Sequence, residues 1–476
     1  MSWDQILTAN PAEHDVRLKV EGELPPLLSG GSYYLNGPGL LKQYSSRLHP
    51  FDGHGMVRKL AFSENSAHFQ NRFIHTTSYL KEKKARKICY RGIAGLPHQS
   101  RLKNWLCRET KNPANTTVLP WQNGLLCGYE GGLPYMLDSA TLETLGQQTF
   151  GDTVEQGTNL LAHTRYDADK EELFCVSLKP GKHTSFQVFG YDSKGRNILR
   201  TDFQHFGMTI IHDFLLTPSY VVIMENPVIP DIPLLIKSMM GLNSLISSLN
   251  QQQRPARLML FPRAGGSPRI IEMDKSCMAF HHASAVERKN DAGEVVELEL
   301  YSCIFDQYDD FGREFGYQGN DQAFSNSYSE GQQPQKLSRV QVDLTTEKVS
   351  TEAVSDWGLD FPTIHPLNDG KNVTHIYGAA AARRNEFGPS RTILRLSPDS
   401  GESQAWHSKD AIVGEPYFVP SGTTEEAGVV LSMLYRPGET ELIVLSAEQL
   451  SAGPIARIRL PEAFPYGFHG FFQGVA

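Results

Sequence analysis

An all-β fold is what this sequence predicts, as a sandwich, a barrel or a propeller, and a seven-bladed β-propeller suits the length best. Three observations point there. Runs of four to eight β-branched and aromatic residues recur at roughly 8–15-residue spacing along most of the chain. Gly (41) and Pro (28) are frequent enough in 476 residues to place a turn between such runs, where helical bundles carry fewer. A chain of many short strands must also hide its strand edges, and blades of four strands closed into a ring do so. Seven blades average about 68 residues each, room for four strands and insertions. No blade motif repeats visibly, so the ring is argued from strands and closure rather than from periodicity.

The runs can be followed in order. Leu173–Leu178 is bounded by Lys179-Pro180-Gly181, and Ser185–Tyr191 runs to the turn Asp192-Ser193-Lys194-Gly195. Tyr220–Met224, Arg257–Phe261, Val295–Tyr301, Val429–Leu434 and Leu442–Leu445 continue the pattern. Two stretches break it and are expected to form cap segments at about 81–113 and 227–253. The first holds Lys81, Lys83, Lys84, Arg86 and Lys87, then Ile93-Ala94-Gly95-Leu96 and Trp105-Leu106. The second runs from Pro227 to Met240 and continues with Leu242, Leu245, Ile246 and Leu249 at helical spacing. Packed on the ring they are cap helices; alternatively their apolar residues surround a lipophilic entrance and touch a membrane surface. No linker divides the chain, so residues 1–476 are expected to form one domain.

Composition excludes several classes. Hydrophobic residues make up 40% and charged residues 21%, too apolar for a disordered chain. A net charge of −8 argues against a protein that neutralises nucleic-acid phosphates. Six cysteines at 89, 107, 127, 175, 277 and 303 form no C-x-x-C pair, which suits a reducing cytoplasm. The first residues lack a basic region followed by an apolar core, and no run of 18 apolar residues occurs, so neither a signal peptide nor a membrane span is expected.

Four of the 16 histidines keep unusual company. They are His163 in Leu161-Ala162-His163-Thr164, His212 in Ile211-His212-Asp213-Phe214, His281 in Ala279-Phe280-His281-His282, and His469 in Gly467-Phe468-His469-Gly470. Separations of 49, 69 and 188 residues exclude ligand pairs on one helix face. They fit a ring in which several inner strands each bring one ligand to a common axis. Apolar neighbours imply burial, and a buried imidazole needs a partner for each nitrogen. On spacing alone, a four-histidine metal site and four unrelated core histidines both remain open.

The ordered landmarks extend over nearly the whole chain. They are Asn36-Gly37-Pro38, Phe51-Asp52-Gly53-His54-Gly55-Met56, Ala114-Asn115-Thr116, Glu130-Gly131-Gly132-Leu133-Pro134-Tyr135, the histidine segments, Phe361-Pro362, Gly414-Glu415-Pro416 and Phe468-His469-Gly470. In that order they resemble the carotenoid cleavage oxygenase family, which includes apocarotenoid, stilbene-cleaving and retinoid-isomerase members. The resemblance implies a seven-bladed propeller with a helical and loop cap over a central iron site. It implies one Fe(II) per chain on His163, His212, His281 and His469. The family pattern Phe-His-x-x-Asn places the third ligand at His281 rather than His282, and strand alternation supports choosing one of the two. Glu130, Asp360 and Glu415 match family glutamates that hold the histidines, paired with His212, His281 and His469 respectively. Asp360 stands where the family has Glu, so its contact to His281 is expected to be shifted or water-bridged. Thr116 matches a threonine whose methyl crowds one open iron position. His54 replaces an acid common at its place and is not assigned to metal.

The chemistry implied is O2 activation on ferrous iron and scission of one carbon–carbon double bond of a lipophilic polyene into two carbonyl fragments, with no organic cofactor. Tyr129 and Gly128 stand where stilbene-cleaving relatives are expected to carry phenol-binding residues, which favours a carotenoid or apocarotenoid. Cleavage of a stilbene or other phenylpropanoid is the alternative. A non-enzymatic propeller that binds a lipid or protein is the reading of another class. Peripheral membrane contact through the cap segments is a further expectation, and no nucleic-acid partner is expected.

Overall fold

Turn chemistry and alternation make the blades. In the hairpin around Lys179-Pro180-Gly181, strands Glu172–Lys179 and His183–Tyr191 pair antiparallel with Val176 opposite Val188 and Cys175 opposite Phe189. Such hairpins, each carried on by further antiparallel strands, give the whole architecture in this computed structural model. The structure describes residues 3–96, 98, 100–308, 311–319, 324 and 332–474; positions 97 and 99 of the first cap segment lie outside them.

Seven blades follow one another among the described residues. Blade 2 is Thr117–Trp121, Gly124–Gly128, Tyr135–Asp138 and Thr144–Gln147; blade 3 is Arg165–Asp167, Glu172–Lys179, His183–Tyr191 and Asn197–Phe206. Blade 4 is Leu215–Leu216, Tyr220–Glu225, Arg257–Pro262 and Arg269–Glu272. Blade 5 is Met278–Lys289, Val295–Phe305, Lys336–Asp343 and the first part of the long strand Val349–Thr363. The end of that strand crosses over to lead blade 6, with Ile376–Ala380, Thr392–Leu396 and Ser403–His407. Blade 7 holds Ile412–Val413, Tyr417–Pro420, Gly428–Arg436, Glu439–Ser446 and Pro454–Arg459.

Blade 1 closes the ring. Its sheet order runs Gly470–Gln473, Ser32–Leu35, His54–Ser63, Ser66–Phe73, Asp15–Lys19, so the last strand of the chain pairs with one of the first, Leu35 opposite Gly470. Glu21–Gly22 likewise pairs with Pro454–Arg459 of blade 7. The ring is therefore fastened at two places by strands from opposite chain ends, which removes the open edge a row of sheets would have. All seven apolar runs singled out in the sequence lie within these strands.

The cap contains short helices, each started by a side-chain cap. Thr76 accepts from Tyr79 N to begin Thr77–Ala85, Ser100 from Lys103 N to begin Arg101–Leu106, and Asp231 from Leu234 N to begin Ile232–Met239. The second segment corrects one expectation. Leu242, Leu245, Ile246 and Leu249 do not continue the helix; they lie in turns, the 3-10 turn Ile246–Ser248 and the strand Leu249–Gln251. Gly241 at φ +72° ends the helix, and Ser247 and Ser248 turn their hydroxyls onto nearby carbonyls, which competes with helical bonding. Among the described residues no helix is long and apolar enough to cross a membrane.

Candidate metal centre

Every blade sends at least one residue to a common site. His163 and His212 stand two and three residues before the leading strands of blades 3 and 4, and His469 directly before Gly470–Gln473. His281 lies inside Met278–Lys289, where the register breaks between Ala279 and His282. Blade 2 brings Thr116 and Glu130, blade 6 Asp360, and blade 7 Glu415. Asp360 too stands at a register break, and the next residue, Phe361, takes φ +51°. Such bulges re-aim side chains that regular pleating would turn away.

The four histidines form one group: one ring nitrogen from each, all within 4.8 Å of one another. His282 points elsewhere, its Nδ1 2.7 Å from Ser302 Oγ. Behind the group stand three carboxylates. His212 Nδ1 donates to Glu130 Oε2 (2.8 Å), His281 Nδ1 to Asp360 Oδ1 (2.6 Å) and His469 Nδ1 to Glu415 Oε1 (2.8 Å). The Asp360 contact is direct, where the shorter side chain led us to expect displacement or a bridging water. The carboxylates are fixed in turn: Glu130 accepts from Ala162 N (3.2 Å) and Glu415 from Gly470 N (2.6 Å), each next to a histidine of the group.

The arrangement suits a divalent metal. With Nδ1 protonated, three rings turn their Nε2 lone pairs inward. His281 Nε2 is buried with no hydrogen-bond partner, and His163 Nε2 and His212 Nε2 face each other at 3.2 Å. Converging buried lone pairs are costly unless something electrophilic sits among them. Burial, reinforced by the other histidines, holds His163 well below the ordinary histidine range. Burial also lowers His469 against the pull of Glu415. His281 is the exception: burial lowers it, but Asp360 outweighs this and leaves it raised. Asp360 mirrors the effect, its burial outweighed by His281 so that it lies below the usual aspartate range. An all-imidazole donor set with carboxylates on the far nitrogens fits a first-row transition metal.

Above the group lies a cavity of about 480 Å³, lined by His212, His281 and His469 and by apolar side chains that include Phe51, Phe280, Phe311, Phe361 and Phe468. Phe361 stacks on His281 with centroids 5.1 Å apart. Thr116 is on the wall, its hydroxyl donating to Asn115 Oδ1 (3.2 Å). Tyr129 is also on the wall, and its buried hydroxyl has no protein partner.

Sequence reasoning missed the support of His163. Asp213 Oδ1 lies 3.9 Å from His163 Nδ1, beyond hydrogen-bond distance. That carboxylate is held by Arg165 (2.5 Å) and by His282 N (3.1 Å), while Arg165 also donates to His282 O (2.9 Å). One ion pair thus ties three histidine segments together. Its signal was present: a charged residue directly after one half-buried histidine of the group and two places after another.

The chain matches the family model described as retinal pigment epithelial membrane protein over residues 7–474. It is similar to the apocarotenoid-15,15'-oxygenase of Synechocystis sp., 31% identical over 98% of this chain and 95% of that protein. It is also similar to carotenoid cleavage dioxygenase 7, chloroplastic, of Oryza sativa (28%, covering 95% and 87%) and to a carotenoid cleavage oxygenase of Mycobacterium tuberculosis (26%, covering 95% and 93%). Among solved structures, a variant of the Synechocystis apocarotenoid oxygenase superposes with TM-score 0.90 at 29% identity over 99% of this chain and 98% of that one. A cobalt-substituted form of the same oxygenase matches equally.

Proposed function

Since the chain belongs to the retinal pigment epithelial membrane protein family, the carotenoid cleavage oxygenases, we propose that it is an Fe(II)-dependent dioxygenase of a carotenoid or apocarotenoid. The observation that carries this is the group of four histidines, three of them backed by carboxylates, at the floor of an apolar cavity. His163, His212, His281 and His469 would hold ferrous iron, which would supply dioxygen activation. The overall change balances as one alkene plus one O2 giving two carbonyl fragments, so no external reductant is needed.

The protein's own residues perform the rest. Glu130, Asp360 and Glu415 accept the Nδ1 protons, fix each ring's tautomer and orientation, and make the ligating nitrogens more basic. The aromatic wall excludes water and holds an extended hydrocarbon in one pose, which decides the double bond presented to the metal. Thr116 narrows the cavity beside the histidines. The relatives named as oxygenases span nearly the full chain, so the non-enzymatic reading is not carried further.

Membrane contact belongs to the same proposal. Leu102, Trp105 and Leu106 on one cap helix, Ile232, Ile236 and Met239 on another, and Met240 just after it are exposed, Met239 by 69%. Leu235, on the second of these helices, lines the cavity. Lys103 and Lys237 stand among them, as on interfacial helices. A lipophilic substrate can pass from a lipid surface into the cavity along this face.

The test is metal analysis of untagged protein followed by incubation with a carotene, an apocarotenal and a hydroxystilbene in air, with mass analysis of the products. Stoichiometric iron and aldehydes from a polyene are expected. Absence of bound iron overturns the reading, and products from the hydroxystilbene alone move it to phenylpropanoids.

A further inference from the structure

Phe51 of the Phe51-Asp52-Gly53 motif stands in the cavity wall, and Asp52 beside it is a buried carboxylate with a separate, specific task. Its Oδ1 accepts from Ile93 N (2.8 Å) and Ala94 N (3.3 Å), and its Oδ2 from Gly95 N (2.7 Å). Three successive backbone N–H groups of the first cap segment therefore converge on one side chain of the propeller. The fit is close: a Cβ on Gly92 would stand 2.0 Å from Asp52 Cγ, so only glycine allows the approach.

The same short stretch holds the second cap segment. Ile93 O accepts from Ile246 N at 3.0 Å, and Ile93 and Ile246 both line the cavity. Arg91 reaches across both segments, donating to Asn104 O (2.8 Å), Cys107 O (3.1 Å) and Ser238 O (2.6 Å). Arg91 thus fastens the cap segments to each other, and Asp52 fastens the joined cap to the ring. On the propeller side, Asn115 Nδ2 donates to Phe51 O (3.0 Å) and Gly53 O (2.7 Å), which fixes the turn carrying Asp52. Lys111, itself buried, supplies a neighbouring positive charge.

We propose that Asp52 is a positioning residue for substrate: by anchoring the Ile93–Gly95 backbone it sets where Ile93 and Ile246 stand in the cavity wall, and so governs polyene binding rather than iron binding. This rests on the function proposed above. The discriminating variant is Asp52→Asn, in which one oxygen becomes an amide nitrogen facing a backbone N–H.

We expect unchanged iron content, a KM for apocarotenal raised about tenfold and kcat within about twofold of wild type, since charge-assisted anchoring is lost but the metal centre is intact. Two readouts are independent of turnover. Quenching of tryptophan fluorescence by an apocarotenal should show the same loss of affinity in iron-free protein. Hydrogen exchange should rise in peptides spanning 91–96 and 242–249 and stay unchanged in blade 7 at 428–436. Lost iron, a lowered kcat at constant KM, exchange that rises throughout the blades, or no change in any readout would each overturn the inference. If the wild-type protein cleaves no polyene, the functional reading falls, and the exchange and quenching results decide the role of Asp52 alone.

Discussion

Among single side chains, Asp360 makes the most specific claim. It is one methylene shorter than the glutamate expected there, yet it reaches His281 directly at 2.6 Å because its strand bulges at that position. Asp360→Ala leaves the His281 Nδ1 proton buried without an acceptor and removes the group that fixes the ring, and losses of this kind lower metal affinity by about 10–100-fold. Iron measured after dialysis against a weak chelator should therefore fall in Asp360→Ala and survive in Asp360→Glu; full iron in the alanine variant refutes the supporting role. Tyr129 presents the opposite case, a buried hydroxyl with no protein partner. Leaving such a group unpaired costs about 1–3 kcal/mol, so Tyr129→Phe should stabilise the substrate-free protein by about 1 kcal/mol in a denaturant titration. A destabilised variant would mean that ordered water already satisfies the hydroxyl.

The elements divide into those that hold and those that admit. Leading strands of the blades deliver the histidines from just before their first residues or at a bulge. The helix Ile232–Met239 behaves differently, with Leu235 in the cavity wall, Ser238 buried, and Ile232, Ile236 and Met239 turned outward. Outward apolar residues do not stabilise the isolated fold, so charging them tests what they meet. Ile236→Glu combined with Met239→Glu should abolish sedimentation with phosphatidylglycerol-containing vesicles while leaving bound iron and the melting temperature unchanged. Vesicle binding that persists in this variant removes that helix from the proposed membrane contact. The basic cluster that precedes it is partly engaged within the protein: Lys81 pairs with Glu109 at 2.9 Å and lies over Tyr90, and Lys83 over Tyr79.

At the scale of the whole molecule, the ring explains why so much was legible in the sequence and why some was not. Strand runs were legible because Val, Ile and Phe clusters such as Val429–Leu434 fill one local role, and the histidines because their family landmarks keep a fixed order. The Arg165–Asp213 pair left only a local signal, a charged residue close behind each of two histidines, since its meaning depends on blades 3, 4 and 5 meeting at one axis. Leu242–Leu249 misled because its apolar spacing does not follow helical winding: Leu242 and Leu245 are exposed, whereas Leu249 is buried. Closing the ring also buries further ionisable groups, and they contribute to the response to acid. Burial holds His49 at about 3 and His54 and His282 at about 4, so an unfolded chain takes up three protons there, below pH 6.5, that the fold refuses. Asp52 and Asp369 act in the other sense, because burial raises each to about 6 and the fold keeps protons that the unfolded chain releases. Among these groups the histidines outnumber the aspartates, so they favour proton uptake by the unfolded state between pH 4 and 6, and stability falls on acidification wherever the unfolded state binds more protons. Glu82 acts in the same sense nearer pH 4, because its contacts with His54 and Lys111 outweigh burial and hold it at about 2. The urea midpoint should therefore decline from pH 6.5 towards pH 4, and more steeply in Asp52→Asn, which lacks one of the two opposing carboxyls; a midpoint that rises on acidification would show that the buried histidines are charged in the fold.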